Sequence, residues 1–231
     1  MSPPELFDDW PERYDDWFRT PIGKLVRQVE GDLVNGTLAP RQGELILDAG
    51  CGTGVFMLDF LRAGAAVVGL DVSAPMLRAA IAKTHPYPFA APFSGVLGDM
   101  LRLPFGDGAF DKSVSVTALE FIADGQRAVG ELFRVTRPGG LVVVATLNSL
   151  SPWAARRRAK TARGERHVLE GAFYRSPAEL LACAPVPGVA RTAIHFLKDD
   201  DPDGVLEVER AGNARGLDTG AFVIARWPKP A

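Results

Sequence analysis

The chain has 231 residues, of which 47% are apolar and 23% charged, an ordinary globular mixture that argues against collagen-like, disordered and disulfide-scaffold classes. Its length suits one large domain or two small ones, and one is expected. With 26 Lys and Arg against 28 Asp and Glu the formal net charge is -2, so no global field recruits nucleic acid or a membrane surface, and any such attraction must be local.

The first ten residues lack the basic start and apolar run of a secretory signal, and no uninterrupted apolar stretch approaches the ~20 residues that span a bilayer. Residues 1–43 carry Leu6, Trp10, Tyr14, Trp17, Phe18, Ile22, Leu25, Val26 and Val29, a spacing that predicts amphipathic helices broken near Thr20-Pro21, and they form a helical cap on a domain spanning 44–231. Glu44 to Ala49 reads as a buried strand, followed by a glycine-rich turn at Gly50, Gly52 and Gly54 and a helix over Val55 to Ala63. Ala65 to Leu70 is the next strand. Ser73 caps a helix running to about Lys83, His85 to Pro92 is a proline-interrupted loop, and Ser94 to Leu97 is a third strand. Phe110 to Val116 is a fourth strand. A helix over Asp124 to Thr136 then leads through an Arg137-Pro138-Gly139-Gly140 turn into Leu141 to Leu147, whose hydrophobicity on both faces marks a central parallel strand.

Residues 148–175 form a long, lid-like connection in which Arg156, Arg157, Arg158, Lys160, Arg163 and Arg166 face one acid, Glu165. Pro177 to Ala184 is a helix capped by Ser176, and Val189 to Leu197 and Gly220 to Trp227 read as two last strands separated by an acidic loop. This alternation of strand and helix predicts an open three-layer α/β sheet with right-handed crossovers.

In such a sheet ligands bind beyond the carboxyl ends of the strands. The first strand ends in Asp48 and the glycine turn, where close backbone approach is possible. A carboxylate there repels a pyrophosphate but attracts an ammonium or sulfonium group. Val55 also stands where a dinucleotide fingerprint needs a small residue. The second strand ends in Asp71, well placed to accept hydrogen bonds from ribose hydroxyls. Asp48, Asp71 and Asp99 each have a plainer explanation as turn or cap residues, and Cys51 as packing within the turn. Cys51 and Cys183 are far apart in sequence and form no zinc or disulfide pattern, so no metal is expected and a reducing cytoplasm fits best.

Five segments, LDAGCGTG at 47–54, GLDVS at 69–73, GDMLRLPF at 98–105, FDKSVSVTALEFI at 110–122 and RVTRPGGLVVVATLN at 134–148, together resemble the class I S-adenosylmethionine-dependent methyltransferases. The resemblance is to the branch of small enzymes that includes ubiquinone/menaquinone-type methyltransferases. It implies a Rossmann-like three-layer sandwich around a mostly parallel seven-stranded sheet with one antiparallel strand, and S-adenosylmethionine as cofactor. It further implies that Gly50, Cys51, Gly52 and Gly54 lie against the methionine part with Asp48 nearby, and that Asp71 holds the ribose. Val72 packs on adenine, Asp99 with the Met100 amide reads its edge, and Val116 and Thr117 face the methionine amine.

The acceptor side is less legible. Ser115-Val116-Thr117-Ala118 stands where adenine-amino methylating enzymes have an Asn/Asp-Pro-Pro-aromatic loop, and no cysteine is near it to serve cytosine C5 chemistry. Glu120 occupies a place where this branch often has His; Glu120, His167 and Tyr14 are the catalytic candidates, each with a structural alternative. His85 and His195 read as structural. The Asp199 to Gly204 run imitates the start of a calcium loop, but Arg210 stands in place of the closing glutamate, so a solvated hairpin is expected. A small-molecule acceptor is expected, and the cationic 148–175 segment favours an anionic one. A solvated insertion paired with the acidic N-terminus (Glu5, Asp8, Asp9, Glu12, Asp15, Asp16) is the plainer alternative for that segment. RNA methylation through residues 156–166, a non-catalytic cofactor-binding protein and an NAD-dependent dehydrogenase are the competing readings, and the sequence does not speak to oligomeric state.

Overall fold

The computed structural model describes residues 10–84, 92–165 and 169–231. His85, His167 and Arg166 lie outside the described residues, as do Glu5, Asp8 and Asp9. The chain runs α1 (Pro11–Trp17), α2 (Pro21–Leu38), β1 (Leu45–Ala49), α3 (Met57–Arg62), β2 (Ala66–Asp71), α4 (Ala74–Thr84), β3 (Phe93–Leu97) and β4 (Phe110–Val116). It continues with a 3-10 turn (Leu119–Phe121), α5 (Gly125–Val135), β5 (Thr136–Leu147), α6 (Pro152–Ala162), α7 (Pro177–Leu181), β6 (Val189–Ala193), α8 (Val205–Ala214) and β7 (Phe222–Pro228). The strands form one sheet in the order β3-β2-β1-β4-β5-β7-β6. β7 pairs antiparallel with both β5 and β6, while the other pairings are parallel. This is the expected seven-stranded, mostly parallel sheet with one reversed strand.

Local chemistry explains the boundaries. Thr20 accepts a hydrogen bond from the Gly23 amide at 3.1 Å and Pro21 supplies the first helical position, so α2 begins where the chain leaves α1. Asp124 caps α5 through the Arg127 amide at 2.9 Å, and Ser176 with Glu179 closes a reciprocal capping box on α7. Each such cap stabilises its helix by about 1 kcal/mol. Buried Ile46, Leu47, Val114, Val142, Val143 and Val144 make the central strands apolar on both faces, as helices cover each side of the sheet. β1, β2, β4 and β5 all present their carboxyl ends to one edge, where the connections leave room for a ligand.

Three sequence expectations are corrected. First, the region between the last strands is no hairpin loop: β6 stops at Ala193, four residues short of the expected Leu197, and the acidic run leads into α8. His195 therefore lies beyond the strand, packed against Gly212, with its backbone amide donating to Glu209 at 2.7 Å. Val205, Glu209 and Gly212 recur at helical spacing and form the buried face of α8, a signal masked by the neighbouring acids. Second, the 148–175 connection contains α6, started by the Ser151 side chain accepting from the Ala154 amide at 3.1 Å, with Pro152 in the first turn. Its cations do not pair with the N-terminal acids among the described residues: Arg156 meets Asp199 at 2.8 Å and Arg163 meets Glu165 at 2.7 Å. Third, β5 opens at Thr136, so the Arg137 to Gly140 turn lies within the strand's bounds, at a register shift between Phe110 and Lys112.

Candidate active site

A cavity of about 1210 Å³ opens at the carboxyl edge of the sheet. All the described site candidates except Gly54 line it: Asp48, Gly50, Cys51, Gly52, Asp71, Val72, Asp99, Met100, Val116 and Thr117 from the strand ends, with Glu120 and Tyr14. Gly54 instead turns inward, where an added Cβ would fall 2.6 Å from the Met57 methyl.

The glycine turn is left-handed at Gly50, with φ 76°, and at Gly52, with φ 53°. At Gly50 an added Cβ would fall 2.3 Å from the Ala118 Cβ, so the turn and the β4 loop touch only because glycine is there. At Gly52 an added Cβ would meet nothing within 4 Å. The backbone there is bare toward open space, and a side chain would occupy volume that a ligand can use.

Asp71 at the end of β2 accepts from the Gly52 amide at 2.8 Å and the Ser73 amide at 2.9 Å, which fixes the turn against the second strand. Each oxygen retains a further lone pair for a ligand hydroxyl. Burial raises the Asp71 carboxyl above its ordinary range, an effect these backbone donors oppose. Asp48 is only 2% exposed and its carboxylate makes no hydrogen bond among the described residues. Burial, with the nearby Asp71 charge, pushes its pKa up to about 7. A buried carboxylate without a partner is costly unless a cation or a donor arrives to meet it. Cys51 is also held as a thiol by burial and the two neighbouring acids, so the turn carries no ready thiolate. Asp99 is exposed, and one of its oxygens accepts from the Leu101 amide at 2.8 Å, a loop-capping contact alongside its place on the cavity wall.

The opposite wall comes from elements that the sequence does not bring together. Thr117, a β-branched residue, holds φ 50°, and its hydroxyl lies 3.4 Å from the Tyr14 hydroxyl of α1. Burial drives the Tyr14 phenol well above its ordinary pKa, keeping it protonated. α1 is tied over the turn by Asp15, which accepts from the Thr53 hydroxyl at 2.7 Å and pairs with Lys83 of α4. Glu120 is 2% exposed and accepts from the Thr146 hydroxyl at 2.9 Å; burial moves its pKa to about 7. Trp17, Phe18 and Trp153 add aromatic surface, and Arg156, Arg157, Lys160 and Lys198 bring cations to the same cavity.

Two residues with clear roles in this geometry escape sequence reasoning. Glu30 is 6% exposed on α2, lines the cavity and makes no hydrogen bond among the described residues; burial raises its pKa to about 8. The signal was available, because Glu30 stands in the apolar stripe of Ile22, Val26, Val34 and Leu38 at helical spacing. Arg175, also buried, donates to the backbone carbonyls of Leu119 at 2.8 Å and Ile122 at 2.7 Å, clamping the loop that carries Glu120. Nothing local in the sequence pairs Arg175 with a segment more than fifty positions earlier. Among the described residues no group of three His, Cys, Asp or Glu is arranged to hold a metal ion, and no helix is long and apolar enough to cross a membrane.

This reversed-strand sheet, with a glycine turn and strand-end acids at its carboxyl edge, is an architecture shared with solved structures. Residues 47–144 match the methyltransferase domain family. Among curated relatives the chain is similar to the demethylmenaquinone methyltransferase of Streptomyces avermitilis, 38% identical over 64% of this chain and 61% of that one. It is also similar to the malonyl-[acyl-carrier protein] O-methyltransferase of Serratia marcescens, 34% identical over 60% of this chain and 52% of that one. The matched part thus spans between half and two thirds of these relatives. A Thermotoga maritima S-adenosylmethionine-dependent methyltransferase shares the fold over 98% of this chain and 99% of its own, with TM-score 0.71 and 20% identity. A Haemonchus contortus phosphoethanolamine N-methyltransferase shares it over 100% of this chain and 60% of its own, with TM-score 0.67 and 15% identity.

Proposed function

We propose that this chain transfers a methyl group from S-adenosylmethionine to a small-molecule acceptor, and that it works in the cytoplasm, where its two free cysteines would stay reduced. The observation that carries the reading is Asp48: a buried carboxylate without a hydrogen-bond partner among the described residues, facing a cavity beside the bare backbone of Gly52. A ligand with an ammonium and a sulfonium group suits that site, and a pyrophosphate does not. S-adenosylmethionine supplies an electrophilic methyl group on its sulfonium sulfur.

The chain's own part is to bind and orient. Gly50, Cys51 and Gly52 offer backbone to the methionine part, with Gly54 shaping the turn from behind. Asp71 receives the ribose hydroxyls on its spare lone pairs, Val72 packs on adenine, and Asp99 with the Met100 amide meets the adenine edge. Val116 and Thr117 face the amine. Residues 1–43 act as a cap, tied down through Asp15, and 148–175 as a lid whose Arg156, Arg157 and Lys160 favour an acceptor with an anionic group. Closing such a lid excludes water and fixes the line of approach, and for methyl transfer orientation dominates. The quinone and acyl-carrier relatives support a small or carrier-borne acceptor over a nucleic acid.

Calorimetry with S-adenosylmethionine, S-adenosylhomocysteine and NAD tests the cofactor. Binding of NAD with neither adenosyl ligand sinks the reading. Transfer of labelled methyl into a metabolite extract, with and without nuclease and protease treatment, then identifies the acceptor class. Label lost on nuclease treatment would move the acceptor to RNA.

A further inference from the structure

The cavity holds more carboxylates than its cofactor end requires. Asp48 and Asp71 sit at the glycine turn, but Glu30 and Glu120 approach the other wall from separate elements, α2 and the loop after β4. Both are more than nine-tenths buried. Glu120 has one oxygen anchored by the Thr146 hydroxyl, and Glu30 makes no hydrogen bond among the described residues although it lines the cavity. A structural acid at a helix core position would be expected to find a partner within the protein. Glu30 instead keeps its acceptor capacity for whatever enters.

We propose that Glu30 and Glu120 act together as the proton acceptor for a weakly acidic hydroxyl of the methyl acceptor, so that the nucleophile arises from a phenol, hydroquinone or enol rather than from a carboxylate or an amine. The inference rests on the methyltransferase reading above and names the acceptor chemistry of that same site. The hydroxyl gives its proton to a carboxylate oxygen of the pair, and the O–H electron pair stays on the acceptor. That anion's pair forms the bond to the methyl carbon as the carbon–sulfur pair leaves with sulfur. The products are a neutral thioether, a methylated acceptor and one protonated carboxyl, which returns its proton to solvent.

The surroundings suit this chemistry. Burial, with the Glu120 charge, raises Glu30 to about 8 against the opposing attraction of Arg27, and burial raises Glu120 to about 7 against Thr146, Arg157 and Arg175. Bases in that range match a weakly acidic hydroxyl near neutral pH, where general-base catalysis is most effective. Tyr14 faces both acids from α1 but is itself held protonated, so it can donate to an anion and cannot act as the base. Arg157 and Lys160 from α6 and Lys198 line the same cavity, and their charge favours an acceptor that becomes anionic over one that is already cationic. A carboxylate acceptor needs no base, and an ionised pair would repel it.

The test uses the full chain as wild type, Glu30→Gln, Glu120→Gln and Glu120→Asp. Calorimetry with S-adenosylhomocysteine comes first: affinities within about twofold of one another are expected, and a wild type that does not bind overturns the methyltransferase reading and this inference with it. Infrared titration from about pH 5 to about pH 9 then follows the carboxylic C=O band, which should persist at neutral pH in the wild type and shrink in each Gln variant. Labelled methyl transfer into defined sets of phenols and hydroquinones, primary amines, and carboxylic acids completes the test. Label confined to the hydroxyl compounds, kcat about 10²-fold lower or more in both Gln variants and partly restored in Glu120→Asp, is the expected result. The proposal is overturned by absence of the band, by label in amines or carboxylic acids, by no label in any set from protein that binds S-adenosylhomocysteine, or by Gln variants that turn over like wild type.

Discussion

The buried acid on α2 makes stability depend on pH in a direction opposite to that of a salt-bridged carboxylate, and Glu30→Gln isolates the effect. Burial lifts Glu30 from 4.5 to about 8 in the folded chain, while the unfolded chain leaves it near its ordinary value. Between those two pH values the folded state holds a proton that the unfolded state has released, so the slope of stability against pH is negative. The contribution is fully present below about pH 4.5 and is lost as pH rises through about 8. At about 1.36 kcal/mol per pH unit the loss is at most about 5 kcal/mol, and relaxation and water entry into an open cavity reduce it to about half, on the order of 2 kcal/mol. For a chain of this size that corresponds to about 5 °C in melting temperature. Thermal melts of ligand-free wild type and Glu30→Gln, at constant ionic strength and about pH 5, 7 and 9, should show the variant gaining on wild type as pH rises. Glu120 and Asp48, each raised to about 7, leave a shallower fall in the variant itself. Parallel curves, or a constant offset at all three values, would refute the burial argument for Glu30.

Asp71→Ala removes the acceptor of the Gly52 and Ser73 amides as well as the proposed ribose contact, and should weaken S-adenosylhomocysteine binding by about 1–3 kcal/mol in calorimetry. Since a cationic ligand meets only the ionised form of Asp48, S-adenosylmethionine affinity should rise as pH increases through about 7, and Asp48→Asn should flatten that dependence. Once an acceptor is known, replacing Arg156, Arg157 and Lys160 by Gln should raise its KM and reduce its salt sensitivity, with cofactor affinity unchanged in a parallel titration.

What was legible in the sequence was what depends on neighbours along the chain. The glycine turn, Asp48 and Asp71 fall within a single strand-turn-helix-strand stretch, and the parallel fold carries both strand ends to the same edge. The caps at Thr20, Ser73, Asp124 and Ser176 are local hydrogen bonds, so the starts of the helices that they cap are legible in the sequence within a residue or two. α6 and α8 are hidden in the sequence by the density of charge around them, although Ser151-Pro152 is itself a helix start and Val205 and Gly212 stand on one buried face.

The wall of the cavity opposite the glycine turn is of another kind. Glu30, Glu120, Tyr14 and Arg157 come from four separate segments, and each alone is an ordinary acid, aromatic or cation on an amphipathic element. Their chemistry arises when α2 buries its apolar stripe and carries Glu30 inside, and when Arg175 fixes the loop of Glu120 across the end of β4. The sequence by itself determined the sheet and the glycine turn and strand-end acids at its carboxyl edge, because hydrophobic periodicity and turn chemistry act over a few residues. Only the tertiary structure decided which carboxylates lose water and face one another's charge, because desolvation is a property of everything packed around a group.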